Sequence, residues 1–225
     1  MKKLNLHGPG WFEVTFGALL SVILGVALGA AVLVARPAVV VKQEPKERAK
    51  GAVYFVDGSR DGTRGRQAMA KRQAFLAGES ITVNEDEINT LIAAGLKAGA
   101  PGTPASPGSP AAAAPADSNY VSAGVPSVRI REGSLQLGVP LGSSLLSQKV
   151  MFQAHGGFVR TGEGFVFEPK TMYLGSCPVD RLPLVAGYVR EMILAEFPMP
   201  ADMKAAWAKL TDVKVEGNTV KLTMP

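Results

Sequence analysis

The sequence is poor in the residues that most often build catalytic and metal centres. Its 225 residues include one cysteine, Cys177, and two histidines, His7 and His155. A single cysteine excludes an intramolecular disulfide, a thiolate zinc site and a Cys-x-x-Cys redox motif, and we expect Cys177 to be a packed small side chain. Glycine-rich nucleotide-binding patterns and the Gly-x-Ser-x-Gly elbow are also absent. The sequence therefore predicts a protein that is not an enzyme, with no catalytic residue, no metal site and no cofactor.

Charge is scarce and dispersed. Charged residues make up 19% of the chain and the formal net charge is +5. The densest basic stretch, residues 42–50, directly follows the apolar run described next. Attraction to anionic lipid headgroups accounts for a juxtamembrane basic stretch, so we expect the membrane as a partner and no nucleic acid.

One long apolar run is present, and it covers residues 14–35 without a charged side chain. A helix rises about 1.5 Å per residue, so roughly 20 apolar residues cross a hydrocarbon core about 30 Å thick. Trp11 and Phe12 precede the run, where aromatic rings favour the headgroup level, and Arg36 and Pro37 end it. The run predicts a single-pass transmembrane anchor. A cleaved signal peptide is the alternative, although signal-peptide cores have only about 7 to 15 residues.

The charges that flank the run bear on sidedness. Lys2 and Lys3 precede it, whereas Arg36 and the basic residues of the 42–50 stretch follow it. A literal count under the positive-inside rule places the C-terminal domain in the cytoplasm. The compact positive N-terminus, typical of bacterial signal anchors, favours the opposite orientation. We expect a bacterial inner (cytoplasmic) membrane protein with a periplasmic domain in the cell envelope.

The chain is predicted to divide into six parts: an N-terminal tail (1–13), the anchor (14–35), a basic juxtamembrane segment (36–50), a strand and two helices (51–97), a Pro/Ala-rich linker (98–119) and an antiparallel α+β domain (120–225). The linker has no bulky apolar side chain and frequent prolines, so it cannot contribute to a core. The remaining length suffices for one modest globular unit.

Residues 81–96 carry a clear helix-start pattern. Asn84 can cap a helix, and Glu87, three residues later, completes a capping box, while Glu85 and Asp86 interact favourably with the helix dipole. One apolar face follows at spacings of three and four: Ile88, Leu91, Ile92 and Leu96. The pattern predicts an amphipathic helix whose carboxylates cap it rather than act as general acids.

Strand-like segments dominate after Val121, with turn residues at regular intervals. Turns are predicted at 131–133, 156–157, 161–164 and 216–218. They divide the segment into successive hairpins, with His155 in a turn beside Gly156. An apolar helix is predicted at 182–197 and a shorter one at 201–210. This order predicts an α+β fold, in which an N-terminal transmembrane helix precedes a curved antiparallel sheet packed by one or two helices.

Three segments together resemble a known family: ITVNEDEINTLI, FEPKTMYLGSCPVDRLPLVAGYVREMI and the two short terminal strands. The chain resembles small membrane-anchored bacterial domains related to tubular lipid-binding (TULIP-like) proteins, over residues 81–224. In such families a helix opens with a Glu-Leu-Asn-like motif, which Glu87, Ile88 and Asn89 match.

A second motif of these families is a strand that ends in glycine before a proline-bearing loop and a helix. Gly175, Pro178 and Pro183 match it. The resemblance implies that the domain binds an acyl chain or another apolar ligand between sheet and helix.

Two functions are therefore predicted as alternatives. The first is a non-catalytic module whose apolar groove binds lipid or another apolar ligand, with these lining residues: Leu135, Leu137, Val139, Phe152, Phe165, Phe167, Leu184, Tyr188 and Ile193. Such residues also form ordinary cores. The second is a scaffold or assembly subunit of a membrane complex. Ser21, Gly25 and Gly29 fall four apart, a series that lets helices approach closely, and they predict a homodimer or a larger envelope complex.

Overall fold

The structure is a computed structural model of the chain. It describes residues 10–43, 45, 47, 51–59, 61–98, 121–131, 133–143, 149–162, 164–182, 185–196 and 199–225. Residues 1–9 of the predicted tail, the predicted linker beyond Ala98, and Leu184 of the predicted groove lie outside these ranges.

The apolar run forms one helix, α1 (Trp11–Ala35), with no buried residue. In the described part of the chain it is the one helix long and apolar enough to cross a membrane. Its 25 residues rise about 37 Å. Trp11 and Phe12 form its first turn, and Glu13 accepts a hydrogen bond from the backbone N–H of Gly10 at 2.9 Å. The predicted apolar span is thereby confirmed as a helix.

Two short strands follow α1 and pair in parallel. They are β1 (Val39–Val41) and β2 (Tyr54–Val56), with Val40 opposite Phe55. Phe55 is buried, and its ring fills the space where a side chain at Gly138 would otherwise lie. Glycine at position 138 thus lets β2 lie directly on one face of the large sheet.

Two helices and a strand come next. A 3-10 turn leads into α2 (Gly65–Leu76), and β3 (Ile81–Asn84) runs into α3 (Glu85–Ala98). The predicted capping box is confirmed, because Asn84 Oδ1 accepts from Glu87 N–H and Glu87 Oε2 accepts from Asn84 N–H, each at 2.9 Å. Local sequence therefore determines where α3 begins.

The large sheet is antiparallel. Its strands are β4 (Val121–Ala123), β5 (Ser127–Arg131), β6 (Ser134–Ser143), β7 (Val150–Thr161), β8 (Gly164–Leu174) and β9 (Cys177–Pro178). The order is β4-β6-β7-β8-β9, and β5 pairs with the first half of β6.

After a 3-10 turn, the chain continues as α4 (Val185–Glu196), α5 (Ala201–Trp207), β10 (Asp212–Glu216) and β11 (Thr219–Thr223). A separate sheet has the order β10-β11-β3. The predicted α+β class is confirmed.

One predicted turn is wrong. Gly156 and Gly157 lie inside β7, which continues to Thr161, and His155 is therefore a strand residue. The pairing register with β8 shifts between His155 and Gly156. A Cβ atom at Gly156 would overlap the Glu168 carbonyl, so glycine permits a close approach of two strands.

The apolar side chains form two clusters. The first core lies among α2, α3, α5, the three-stranded sheet and one end of the large sheet, and includes Phe75, Val83, Ile130 and Leu210. The second core lies toward the other end of the large sheet, and its buried members are Val139, Leu141, Phe152, Ala154, Met172, Cys177, Val179 and Val189. The strand β6 contributes to both, so one long strand joins the two halves of the domain.

Candidate functional site

Most of the predicted groove residues are parts of these cores. Six are buried or half-buried: Leu135, Leu137, Val139, Phe152, Phe165 and Phe167. Of the remaining three, Tyr188 is 69% exposed on α4, while Leu184 and the side chain of Ile193 lie outside the described residues. None of the seven whose side chains are described lines either of the two cavities described below.

The turn between β8 and β9 contacts the end of α1. The backbone N–H of Ser176 donates to Leu33 O at 3.0 Å, and its hydroxyl donates to Arg36 O at 3.3 Å. Gly175 has φ +60°, and a Cβ there would lie 2.5 Å from Val34 O. The last carbonyls of a helix lack their usual donor four residues on. Leu33 O accepts from Arg36 N–H at 3.3 Å, and the turn supplies a second donor. The extramembrane domain is thus attached to the helix end by backbone contacts.

Apolar packing reinforces this attachment. Ala30, Leu33 and Val34 pack against the second core. Because α1 is about 37 Å long and the hydrocarbon core is about 30 Å thick, roughly one turn exceeds the length needed to cross it. The domain covers that last turn.

A buried polar network joins α3 to the edge of the large sheet. Asn89 has a fully buried side chain, and its Nδ2 donates to Ser59 O at 2.9 Å and Val128 O at 2.8 Å. Its Oδ1 accepts from Val128 N–H at 2.7 Å. Glu85 accepts from the N–H groups of Ser59 and Ile130 at 2.6 and 3.1 Å. These side chains satisfy backbone groups of β5 and of the loop after β2.

Glu87 has a second role besides capping. Its carboxylate is 0% exposed, and both of its oxygens lie 2.8 Å from Lys71 Nζ on α2. The same ammonium donates to Thr82 O at 2.6 Å. A buried carboxylate requires such a cation partner, so this pair fixes α2 against α3. The residues matching the Glu-Leu-Asn-like motif are therefore occupied by structural contacts.

The face of the large sheet beneath β2 borders an open cavity of about 580 Å³ with many polar lining residues. Its lining residues are Ala52, Val53, Tyr54, Val56, Arg129, Arg131, Ser134, Gln136, Gln153, His155, Thr171 and Tyr173. They come from alternate positions of β5 to β8, opposite the face that forms the second core. We call this space the polar cavity.

Gln153 stands out in the polar cavity. It is 0% exposed, and neither its Nε2 nor its Oε1 has a hydrogen-bond partner. It pairs with Gly138, the residue that contacts Phe55 of β2. Most buried side-chain amides are hydrogen-bonded, so an amide with both functions unmatched is unusual.

His155 also lines the polar cavity. Burial lowers the pKa of its imidazole below the ordinary value of 6.5. The ring is therefore neutral at pH 7, with one nitrogen that donates and one that accepts.

This pKa predicts a pH dependence of stability. Unfolding frees the imidazole to bind a proton that the folded state resists, so the stability is complete above about pH 6.5 and falls as the pH drops below it. We expect His155→Gln to show a smaller loss of Tm between pH 7.5 and 5.5 than the wild type does. Thermal unfolding of both proteins measures this loss. The carboxylates titrate in both proteins, so their effect cancels in the comparison. Equal losses would contradict the assignment to His155.

A second, larger opening adjoins the polar cavity. This charged cleft has a volume of about 800 Å³ and is lined by Lys42, Gln43, Asp57, Gly58, Ser59, Glu85, Arg129, Ile130, Arg131 and Asn218. Arg129 and Arg131 line both spaces. Asp57 Oδ1 accepts from the Ser127 hydroxyl at 2.7 Å, and Glu85 binds backbone N–H groups, so both carboxylates already have partners.

Cys177 lies in the second core. It is 2% exposed, and burial raises the pKa of its thiol, which keeps it protonated and unreactive. Within the described ranges, no group of three His, Cys, Asp or Glu side chains could bind a metal ion.

Sequence reasoning missed the polar cavity. Polar residues alternate with apolar ones along these strands: Gln136 on β6, and Gln153 and His155 on β7. This polar half of the alternation marks a sheet face that is not part of the apolar core.

No protein-family model, curated protein sequence or solved structure matches this chain.

Proposed function

We propose that the chain is a single-pass, non-catalytic membrane protein that acts as a scaffold or assembly subunit of a membrane complex. The observation that carries this proposal is the contact of the β8–β9 turn with the end of α1. A domain joined to its span by backbone hydrogen bonds and core packing keeps a fixed orientation at the membrane surface. Such an orientation suits a protein that presents one surface to neighbouring subunits.

The same contact supports an uncleaved anchor. Removal of α1 would take away Leu33 O, the acceptor of Ser176 N–H, and would uncover apolar atoms of the second core. We further propose the bacterial inner membrane as the location, with the domain outside the cytoplasm. The positive N-terminal segment, with Lys2 and Lys3, supports this orientation.

The span offers the surface for assembly. No described atom lies within 4 Å of a Cβ built on Gly25 or Gly29, so this part of α1 is not covered by the domain. Ser21 donates its hydroxyl to Gly17 O at 2.8 Å, which satisfies the hydroxyl inside the helix. Small residues at this spacing allow two helices to pack closely.

The double variant Gly25→Leu/Gly29→Leu tests this surface. We expect at least about a tenfold loss of self-association in lipid vesicles, since helix contacts of this kind depend on close backbone approach. Energy transfer between labelled copies of the full chain measures it. The matched control is Ala27→Leu/Ala31→Leu, which adds the same side chains on the opposite side of α1. Self-association that is equal in all three proteins would contradict a role for this stripe.

The second candidate is a module that binds an apolar ligand between the sheet and α4. Val185 and Tyr188 are exposed on α4, close to Val189 of the second core. The end of α1 packs on the same core, so this exposed surface lies near the end of the span. That position favours the second candidate. Mass spectrometry of a solvent extract of the purified full chain separates the two candidates. A stoichiometric lipid would support ligand binding, and a protein that neither carries nor takes up lipid would exclude it.

A further inference from the structure

The end of α1 and the start of α4 lie on the same core. Side chains of the last two turns of α1 pack against the second core, and Val189 of α4 is buried in it. The chain that connects the two places is short. Ser176 N–H donates to Leu33 O at 3.0 Å, and Leu182, which leads into α4, follows through the 3-10 turn Val179–Arg181. This stretch of extended and 3-10 chain spans at most about 16 Å. Helix α4 therefore begins close to the end of α1.

The second core reaches the depth at which the hydrocarbon of the bilayer ends. The ring of Trp11 favours one headgroup level, and about 20 residues of helix cross the hydrocarbon core of roughly 30 Å, so the far boundary lies near Ala31. Ala30 already packs against the second core. Each headgroup layer adds roughly 5–7 Å. The side of the domain that contains the second core is therefore level with the lipid headgroups, and α4 belongs to that side.

Helix α4 has three sides with different surroundings. Ala186 and Val189 pack in the second core. Arg190 and Glu191 are exposed to solvent. The third side is apolar and is formed by three residues at spacings of three and four: Val185, Tyr188 and Met192. Val185 is 40% exposed and Tyr188 is 69% exposed. We call this third side the α4 stripe.

The size and position of the α4 stripe favour a lipid surface as its partner. A stripe of three side chains is far smaller than the roughly 800 Å² that each partner buries in a standard protein interface. It also adjoins the end of the span. Tyrosine is enriched at the headgroup level because its ring is amphipathic, and a helix with an apolar side and a charged side binds in the plane of the interface. We propose that α4 docks on the bilayer surface, with Val185 and Tyr188 inserted among the lipid headgroups.

This contact deepens the proposed scaffold function and rests on it, because both require an anchored domain. The contact with α1 holds the domain at one place beside the span. A second contact, through α4, fixes how the domain is rotated and tilted relative to the membrane plane. The two contacts together therefore determine which surface of the domain faces neighbouring subunits.

Quenching by spin-labelled lipid tests the contact, with the full chain in phosphatidylcholine vesicles. Tyr188→Cys carries a polarity-sensitive fluorophore, and the native Cys177 is buried and does not react. In the control, Lys221→Cys carries the same fluorophore at an exposed position of β11, in the separate three-stranded sheet. The vesicles contain phosphatidylcholine with a spin label just below the headgroup. We expect at least about threefold stronger quenching at position 188 than at position 221, because an interfacial helix inserts its apolar side at that depth.

A charge in the α4 stripe should weaken the contact. Val185→Asp is expected to reduce the quenching at position 188 at least about twofold, because a carboxylate is unfavourable among acyl chains. An aspartate in the first turn of α4 interacts favourably with the helix dipole, so this variant should fold. The matched control, Val166→Asp, makes the same change at a 49% exposed valine of β8 and should leave the quenching unchanged. Thermal unfolding of both variants verifies that they fold.

Several results would overturn the proposal. Equal quenching at positions 188 and 221, or equal quenching in Val185→Asp and Val166→Asp, would show that the stripe does not contact the bilayer. Quenching that saturates at one spin-labelled lipid per chain and persists in detergent would identify a lipid bound between the sheet and α4 instead. A blue-shifted emission at position 188 without lipid quenching would place a protein segment or a second copy on the stripe.

Failure of this proposal is distinguishable from failure of the scaffold function. Self-association of the span is measured by energy transfer, and Gly25→Leu/Gly29→Leu tests it without any change in α4. Weak quenching at position 188 with intact self-association would reject the docking of α4 alone. Strong quenching at position 188 in a chain that does not self-associate would keep the docking and reject the assembly surface of the span.

Discussion

Gly175→Ala is expected to lower the free energy of unfolding of the extramembrane domain by about 2–4 kcal/mol. Two costs add. Alanine is strained at φ +60°, and its Cβ would lie 2.5 Å from Val34 O and 2.8 Å from Arg36 O. These carbonyls belong to the end of α1, so the variant should also separate the domain from the span. Urea unfolding of the full chain in detergent measures the loss, followed by the fluorescence of Trp207 with Trp11 replaced by phenylalanine in every variant.

Gly217→Ala is the control for this prediction. Gly217 has φ +55° in the turn between β10 and β11, and nothing lies within 4 Å of a Cβ there. It therefore reports the backbone cost alone, about 1 kcal/mol. A loss in Gly175→Ala no larger than that in Gly217→Ala would mean that the contact with the helix end contributes nothing to stability.

Asn89→Ala is expected to destabilise the domain by about 3–5 kcal/mol, the largest effect of any single substitution considered. The change removes the partners of three backbone groups, Ser59 O, Val128 O and Val128 N–H, and each unmatched buried group costs about 1–3 kcal/mol. Alanine also leaves a small cavity between α3 and β5. The same urea unfolding assay measures the loss.

Two further variants sharpen the Asn89 prediction. Asn89→Asp keeps an acceptor for Val128 N–H but cannot donate to the two carbonyls, so it should also be strongly destabilising. Asn218→Ala removes an exposed asparagine and should change the stability by less than about 0.5 kcal/mol. If Asn89→Ala resembled Asn218→Ala, the buried network would have no part in holding α3 to the sheet.

The sequence predicts those features whose cause lies within a few residues. The start of α3 depends on Asn84 and Glu87, three positions apart, and both hydrogen bonds of the box are present. The ion pair of Glu87 with Lys71 was not predictable in this way. It depends on the packing of α2 on α3, which is a tertiary contact.

Gly156 and Gly157 show the limit of local patterns. A glycine pair favours a turn when only its neighbours are considered. Here the deciding contact is the Glu168 carbonyl on the paired strand, which leaves no space for a Cβ at position 156. That contact depends on the register of β7 and β8, and no pattern around residue 156 specifies it.

The candidate site shows the same limit. Apolar alternation on β6 and β7 identified the residues of the inner face, such as Val139 and Phe152, and these are buried. The polar cavity uses the other face, and β2 covers it. The contact of Phe55 with Gly138 brings together segments more than 80 residues apart, so the enclosure of Gln153 could not be predicted from either segment alone.

The position of β11 in the centre of the three-stranded sheet has a consequence for folding during synthesis. β11 pairs with β10 on one side and with β3 on the other, and Met224 N–H donates to Ser80 Oγ across 144 residues of sequence. The ribosome releases β3 long before β11, so β3 has no strand partner during most of the synthesis of the domain. Closure of such a long loop is slow, and an unpaired strand edge can associate with other chains. In the growing chain, β3 is therefore an unpaired strand edge until β11 has been synthesised.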